Sequence, residues 1–242
     1  MRLHIDELAG ATGGRVVGPA VQIAGAGIDT RTLRPGMLFV PIRAERDGHD
    51  FVAAATAAGA LAYLTSQGAA PDVAATAIEV DDTAIALANA GRLARTRLGD
   101  RVVAVTGSVG KTSVKDLTAA ALSVRLRTAA SERSFNNELG VPLTLLNAPD
   151  DTEATVVELG ARGVGHIALL CSIASPTVGV VTAVAAAHTE LFGSLDDVAR
   201  AKGELVEALD ERGTAVLNAD DPRVAAMASR TGARVVTFGA AG

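Results

Sequence analysis

The residues best suited to chemistry stand in a glycine-containing segment directly after an apolar run. The segment reads Thr-Gly-Ser-Val-Gly-Lys-Thr and occupies residues 106–112. Glycines let backbone N–H groups turn toward one anion, and a following helix adds positive potential from its N-terminus. Lys111 can neutralise the charge of β- and γ-phosphates, and the Thr112 hydroxyl can bind the Mg²⁺ ion of a nucleotide. The segment therefore predicts phosphate binding, with an ordinary strand–helix turn as the alternative.

This loop is a shortened form of the general phosphate-loop pattern. That pattern has a glycine five residues before Gly110, where this sequence has Val105, so Gly107 is the first glycine here. The nucleotide-binding residues that we expect are Gly107, Ser108, Val109, Gly110, Lys111, Thr112 and Ser113. The helix after the loop carries apolar residues on one side, namely Val114, Leu117, Ala121 and Leu122.

Lysine is rare in this sequence, so its positions are informative. Of 22 basic residues only three are lysines, namely Lys111, Lys115 and Lys202, although composition bias alone could leave so few. The planar guanidinium of arginine replaces neither a compact ammonium nor a reactive amine. Lys202 stands between two small residues on a predicted helix. A lone lysine on a helix is ordinarily a solvated surface residue, and that interpretation stays open for Lys202. Lys115, one helical turn after Lys111, is expected at the surface.

Other polar residues follow predicted strands. Glu158 ends an apolar strand, and a carboxylate at a strand's carboxyl end beside a phosphate loop is well placed to hold Mg²⁺. A solvated acid is the alternative. His188 follows the next strand, where a surface or hydrogen-bonding histidine is the ordinary expectation. Asn136 and Asn137 lie in a loop, where amides either hydrogen-bond a ligand or form a turn.

The elements that must position these residues alternate regularly from residue 101 onward. We expect strands at residues 102–105, 154–159, 177–182, 213–217 and 234–238. Helices are expected at residues 112–124, 164–174, 195–209 and 222–231. The third helix begins with a capping box from Ser194 and Asp197. Apolar strands alternating with helices predict an α/β fold, with a P-loop-type, mainly parallel sheet covered by helices on both faces. Such sheets bind ligands at the carboxyl ends of their strands.

The first part of the chain has a different pattern. Short strands are expected at residues 37–42, 61–65 and 77–80, and helices at residues 50–58 and 83–98. This pattern predicts a small mixed α/β amino-terminal domain. We therefore expect two domains, at residues 1–98 and 99–242.

Composition and charge exclude several classes of protein. The chain is 49% hydrophobic but only 2% aromatic, so small aliphatic residues must build the cores of a soluble folded protein. The single cysteine, Cys171, excludes an internal disulfide framework, is expected to be buried, and indicates a reducing, cytoplasmic setting. A net charge of −5 argues against nucleic-acid binding. No apolar run approaches the roughly 20 residues of a membrane helix, and the early acidic residues predict no signal peptide.

Several blocks of the sequence, in order, resemble one family. The loop at residues 107–113 is similar to the ATP loop of the Mur ligases, the amide ligases of peptidoglycan synthesis. Further blocks agree at residues 135–146, 156–161, 182–194, 199–205 and 217–222. Upstream, residues 29–51 resemble the amino-terminal domain of the family member that acts on D-Ala-D-Ala. The likeness covers nearly the whole chain.

The resemblance implies a role for each candidate residue. ATP and two Mg²⁺ ions would be bound, and the metal ligands would be Thr112, Glu158, His188 and Lys202, the last carbamylated by CO₂. Lys111, His188 and Lys202 would be catalytic. The residues that would hold the UDP-linked muramoyl peptide are Asp29, Thr30, Arg31, Asn136 and Asn137.

The implied reaction is ADP-forming amide ligation of a UDP-linked muramoyl peptide with D-Ala-D-Ala through an acyl phosphate, by a monomer. Mur ligases continue beyond the point that matches residue 242, so we expect part of the central domain and the carboxyl-terminal domain to be missing. Two alternatives remain. One is a module that binds nucleotide or a UDP ligand without turnover alone, and the other is a related amide ligase with a different acceptor.

Overall fold

The chain divides into two compact units in a computed structural model that describes residues 1–132, 135–185 and 192–240. The first unit contains Met1–Arg97 and Leu145–Asp150, and the second contains Leu98–Thr144 and Asp151–Gly242. Within the described ranges, no helix is long and apolar enough to cross a membrane.

The first unit is built around a mixed five-stranded sheet. The strands of the whole unit are β1 (Arg2–His4), β2 (Arg15–Val17), β3 (Gln22–Ala24), β4 (Ala26–Gly27), β5 (Leu38–Phe39), β6 (Ala62–Thr65) and β7 (Thr76–Glu79). Its helices are α1 (Ile5–Thr12), α2 (Val52–Ala57) and α3 (Thr83–Arg95), with a 3₁₀ turn at Gly48–Phe51. The sheet has the order β2-β7-β6-β5-β4, with β2 antiparallel to β7 and the other pairs parallel, while β1 and β3 form a separate antiparallel pair. The mixed α/β class expected for this part is confirmed.

Side-chain caps decide where two helices of this unit begin. Asp82 accepts hydrogen bonds from two backbone N–H groups in the first turn of α3. At α1 the cap is His4, whose Nδ1 accepts from the Asp6 backbone N–H, while the Glu7 carboxylate accepts from the His4 N–H. Sequence reasoning missed α1, because histidine is not among the residue types that signal a helix start.

The second unit contains a six-stranded, entirely parallel sheet. Its strands are β8 (Arg101–Thr106), β9 (Thr128–Ala130), β10 (Ala154–Glu158), β11 (Val178–Val181), β12 (Thr214–Asn218) and β13 (Arg234–Phe238). Its helices are α4 (Lys111–Ser123), α5 (Gly140–Asn147), α6 (His166–Ala174), α7 (Leu195–Glu207) and α8 (Pro222–Ala225), with the last residues of α5 in the first unit. The strand order is β13-β12-β11-β8-β10-β9. Since β8 lies between β10 and β11, the carboxyl ends of these three strands lie side by side.

Helices cover both faces of this sheet. Val180 of β11 packs in a buried cluster with Val114 and Leu122 of α4. Gly179, the preceding residue of β11, faces the opposite side, where a Cβ would lie 3.0 Å from Leu205 of α7. The predicted parallel sheet with helices on both faces is confirmed.

Several element boundaries differ from the expected ones. Strand β5 is shorter than the predicted run at residues 37–42. Helix α6 begins only after Gly165, whose φ of 89° cannot be part of a helix. Helix α8 gives way to a 3₁₀ turn at Ala226–Arg230.

The capping of α7 also differs in part from the capping box. The Ser194 hydroxyl accepts from the Asp197 N–H as predicted, but the same hydroxyl donates to the Asp197 carboxylate.

The buried face of α4 is not the predicted one. Val114 and Leu122 pack inward, but Leu117 is 70% exposed and Ala121 is also exposed. Lys115 is instead the buried residue of α4, with 3% of its surface exposed. The surface position expected for Lys115 is therefore wrong, because its amine donates a hydrogen bond to the carbonyl of the buried Ser131.

Candidate active site

A glycine-containing loop joins β8 to α4, as the sequence predicts. Gly107 is buried at a φ of 149°, and a Cβ there would lie 1.9 Å from the Thr182 hydroxyl oxygen, so only glycine fits. Gly110 has a φ of 82° and directly precedes the first turn of α4. The chain thereby turns from strand to helix and leaves the first N–H groups of α4 at the loop, where they can bind an anion.

Residues that follow β11 fix this loop in place. The Ser108 N–H donates to the Ala183 carbonyl over 2.8 Å, and the Ser108 hydroxyl donates to the Ala185 carbonyl over 3.0 Å. The Thr182 hydroxyl donates to the Val109 carbonyl over 2.6 Å. The segment that follows β11 therefore holds the loop through both backbone and side-chain hydrogen bonds.

The first turn of α4 presents an amine and a hydroxyl. Lys111 Nζ donates to the Gly107 carbonyl over 2.9 Å, so the ammonium lies over the loop. The Thr112 hydroxyl donates to Glu158 Oε2 over 2.8 Å. Both groups stand at the positively polarised end of the helix, where negative ligands are favoured.

Glu158, the last residue of β10, is only 1% exposed. In addition to the Thr112 hydroxyl, it accepts a hydrogen bond from Asn136 Nδ2 at Oε1 over 2.8 Å. These bonds stabilise a carboxylate that burial alone would disfavour. The alternative of a solvated acid at a strand end is therefore wrong.

The oxygen atoms at the mouth of the loop fit a Mg²⁺ ion. Glu158 and Thr112 provide hard oxygen donors, and a carboxylate with two hydrogen bonds keeps lone pairs for a cation. No group of three His, Cys, Asp or Glu side chains suited to a metal ion occurs among the described residues.

Lys202 on α7 is 5% exposed, so the alternative of a solvated surface lysine is wrong. Its amine has no hydrogen-bond or ion-pair partner in the part of the chain that the structure describes. Burial, with a smaller contribution from the positive charge of Lys111, lowers the pKa of Lys202 to about 8. A fraction of the amine is therefore unprotonated, and nucleophilic, near neutral pH.

One cleft of the second unit brings most of these groups together. It is lined by Gly107, Ser108, Lys111, Asn136, Asn137, Gly160, Ala161, Arg162, His166, Phe192 and Lys202. The cavity has a volume of about 240 Å³. The charged residues in this lining are the cations Lys111, Arg162 and Lys202, so the cleft favours a polyanionic ligand.

Comparison with known proteins identifies the family. Residues 105–242 match the family described as the Mur ligase middle domain, and residues 22–101 match the family described as Mur ligase family, catalytic domain. The chain belongs to the Mur ligase family. The resemblance expected from the sequence is confirmed.

Individual Mur ligases show the same similarity. The UDP-N-acetylmuramoyl-tripeptide–D-alanyl-D-alanine ligase of Escherichia coli is 42% identical over 218 residues, which are 90% of this chain and 48% of that protein. A crystal structure of MurF from Acinetobacter baumannii superimposes with a TM-score of 0.88 at 29% identity, covering 99% of this chain and 54% of that one. The MurF ligase of Thermotoga maritima in complex with ADP has a TM-score of 0.79 at 31% identity, covering 90% and 51%. This Mur ligase chain thus spans about half the length of the relatives that it matches.

The loop before α5 contains the two expected asparagines. Asn136 bonds to Glu158, whereas the Asn137 side chain accepts from the Gly140 N–H over 2.9 Å at the start of α5. Asn137 thus forms a turn, and both asparagines line the cleft. His188, the expected second metal ligand of this Mur ligase, lies outside the described residues.

Asp29, Thr30 and Arg31 lie in the first unit. The Arg31 guanidinium donates to both carboxylate oxygens of Asp29, over 2.9 and 2.6 Å. These hydrogen bonds lower the pKa of Asp29 to about 2. The predicted UDP-binding segment therefore presents a guanidinium that is already oriented by a carboxylate.

Sequence reasoning missed two polar side chains, of which His166 lines the cleft and Glu204 caps the start of α6. His166 Nε2 lies 3.1 Å from a Glu138 carboxylate oxygen, and its Nδ1 accepts from the Arg162 N–H. Glu204 is buried, and its carboxylate accepts from the Gly165 and Ala168 N–H groups at the start of α6. Nothing in a single sequence signals these contacts, because the partners lie on different elements.

Proposed function

We propose that this chain provides the ATP site and the UDP-substrate site of a UDP-N-acetylmuramoyl-tripeptide–D-alanyl-D-alanine ligase, a cytoplasmic enzyme. Residues 1–98 would bind the UDP end of the muramoyl peptide, and residues 99–242 would bind ATP. The observation that carries the proposal is the Thr112–Glu158 pair at the mouth of a glycine loop topped by Lys111. The identities of 39–42% to named ligases of this activity support it.

The residues of the loop would bind and orient the nucleotide. Backbone N–H groups at the start of α4 and the Lys111 ammonium would hold the β- and γ-phosphates and offset the charge that develops during transfer. The peptide carboxylate would attack the γ-phosphorus, so that ADP leaves and an acyl phosphate forms. The amine of D-Ala-D-Ala would then attack the acyl carbon, lose a proton and displace phosphate.

Two sets of residues would hold metal ions. Thr112 and Glu158 would hold one Mg²⁺, which would supply positive charge to offset the charge of the phosphates. We assign the second set to His188 and Lys202. The unprotonated Lys202 amine would attack CO₂ and lose a proton to give a carbamate with carboxylate-like oxygens. The lowered pKa of the Lys202 amine, which has no hydrogen-bond or ion-pair partner among the described residues, supports this role.

The test is substrate-dependent release of ADP and phosphate by the natural polypeptide that carries this sequence. We expect release only with Mg²⁺, the UDP-linked muramoyl tripeptide and D-Ala-D-Ala together. Lys111→Met should abolish release, and the exposed control Arg234→Ala should not affect it. Release without D-Ala-D-Ala, or unchanged release in Lys202→Ala, would contradict the proposal.

A further inference from the structure

Lys115 is a buried charged residue that the proposed reaction does not use. Its Nζ donates to the Ser131 carbonyl over 2.7 Å and forms an ion pair with Asp116 Oδ1 over 2.8 Å. Asp116 is the neighbouring residue, and its side chain is 64% exposed. The inward bond of the ammonium is thus the one to Ser131, and a buried ammonium is retained at a cost only where such a directional bond is made.

Ser131 connects this ammonium to the candidate metal ligand. It directly follows β9 and is 2% exposed. Its hydroxyl accepts from the Glu158 backbone N–H over 3.2 Å, and its own N–H donates to the Val156 carbonyl over 3.0 Å. The Thr144 hydroxyl donates to the same Ser131 hydroxyl over 3.4 Å. Ser131 is therefore hydrogen-bonded to the backbone at the carboxyl end of β10, where Glu158 lies.

Helix α4 consequently holds Glu158 at two points. Thr112 bonds its carboxylate directly, while Lys115, three residues later on the same helix, holds its backbone through Ser131. Residues three apart on a helix lie on neighbouring turns of one face. A side chain that only filled space would make no such bond, and an apolar residue would fill the same volume.

We propose that Lys115 is a positioning residue that acts through Ser131 to hold Glu158 in place for Mg²⁺. Lys115 thereby sets the affinity of the loop for the metal–nucleotide complex rather than for the nucleotide alone. This inference rests on the proposed function, since it takes the loop to bind nucleotide and Glu158 to bind Mg²⁺. It assigns no part in the chemical step to Lys115.

The test is calorimetric titration of the 242-residue chain with ADP, in Mg²⁺ and in EDTA. Mutation of a residue that hydrogen-bonds to a metal ligand typically lowers the metal affinity about 10- to 100-fold. We expect Lys115→Met to raise the Kd for ADP in Mg²⁺ by about tenfold and the Kd in EDTA by less than about twofold. Asp116→Asn, which keeps the bond to Ser131, should leave both constants unchanged.

A second variant keeps the test decisive if Lys115→Met does not fold. Ser131→Ala removes the hydroxyl that holds the Glu158 N–H and should give the same loss, confined to Mg²⁺, whereas the exposed control Ser123→Ala should not. Because Lys115 and Ser131 act in series, the double variant should lose no more than the larger single loss. Equal losses in Mg²⁺ and EDTA, or no loss, would overturn the inference alone. Failure of the unmodified chain to bind ADP would overturn the proposed function as well.

Discussion

Two helices of the second unit each bury a lysine, and their surroundings differ in one respect. Lys115 on α4 is 3% exposed and bonds to a carbonyl and a carboxylate. Lys202 on α7 is 5% exposed and has no such partner within the described ranges. The two side chains are therefore buried to a similar extent, and the hydrogen-bond and ion-pair partners of each amine determine its chemistry. A partnered ammonium stabilises structure, whereas an unpartnered one is destabilised as a cation and becomes a reactive amine.

The largest expected effect tests the reactive amine. Lys202→Arg keeps a positive charge but removes the nucleophile and the ligand that it would form. We expect ligation, measured as ADP release by the natural polypeptide, to fall on the order of a thousandfold. The Kd for ADP in EDTA should stay unchanged, which separates lost chemistry from lost nucleotide binding. Retained turnover in Lys202→Arg would show that a charge alone suffices there.

The next effect concerns stability and has an unusual direction. The pKa of Lys202 is lowered from 10.5 to about 8, so the buried cation costs about 3 kcal/mol at neutral pH. Lys202→Met should therefore raise the free energy of unfolding, by up to about 3 kcal/mol, although we expect it to abolish ligation. Urea unfolding of the 242-residue chain at pH 7 measures this change. A destabilised Lys202→Met protein would mean that the amine has a stabilising partner.

The change of the other lysine to methionine should alter the free energy of unfolding in the opposite direction. Lys115→Met removes a charge-assisted hydrogen bond and leaves the Ser131 carbonyl buried without its donor. We expect a loss of about 2 kcal/mol in the same urea experiment. Stabilisation by Lys115→Met would erase the contrast between the two lysines.

These lysines also show how far the sequence could predict the structure. The continuous apolar runs predict the parallel sheet, because strands buried on both faces contain little else. The loop at residues 107–112 is predictable because glycines, lysine and threonine must follow one another there. The first unit was harder, because strands as short as β4 and β5 leave too few residues for a pattern. Burial of Lys115 was mispredicted because its acceptor, Ser131, is distant in sequence.

The smallest expected effect is the pH dependence of the difference in unfolding free energy between Lys202→Met and the unmodified chain. It tests whether the buried cation causes that difference. Between pH 8 and 10.5 the folded protein loses the Lys202 proton before the unfolded chain does, so the unfolded state binds more protons and stability rises with pH. The cost of the buried cation is complete below pH 8 and disappears across this window. The advantage of Lys202→Met should therefore shrink by about 1 kcal/mol between pH 8 and 9 in CO₂-free buffer.

A second group titrates in this window and must be removed from the comparison. Burial raises the pKa of the Cys171 thiol to about 12, so the unfolded chain loses that proton first and stability falls as pH rises above 9. Both proteins contain Cys171, so its contribution cancels in the difference between them. If that difference does not change with pH, burial of a cation is not what distinguishes Lys202 from Lys115, and the amine on α7 is no more reactive than the one on α4.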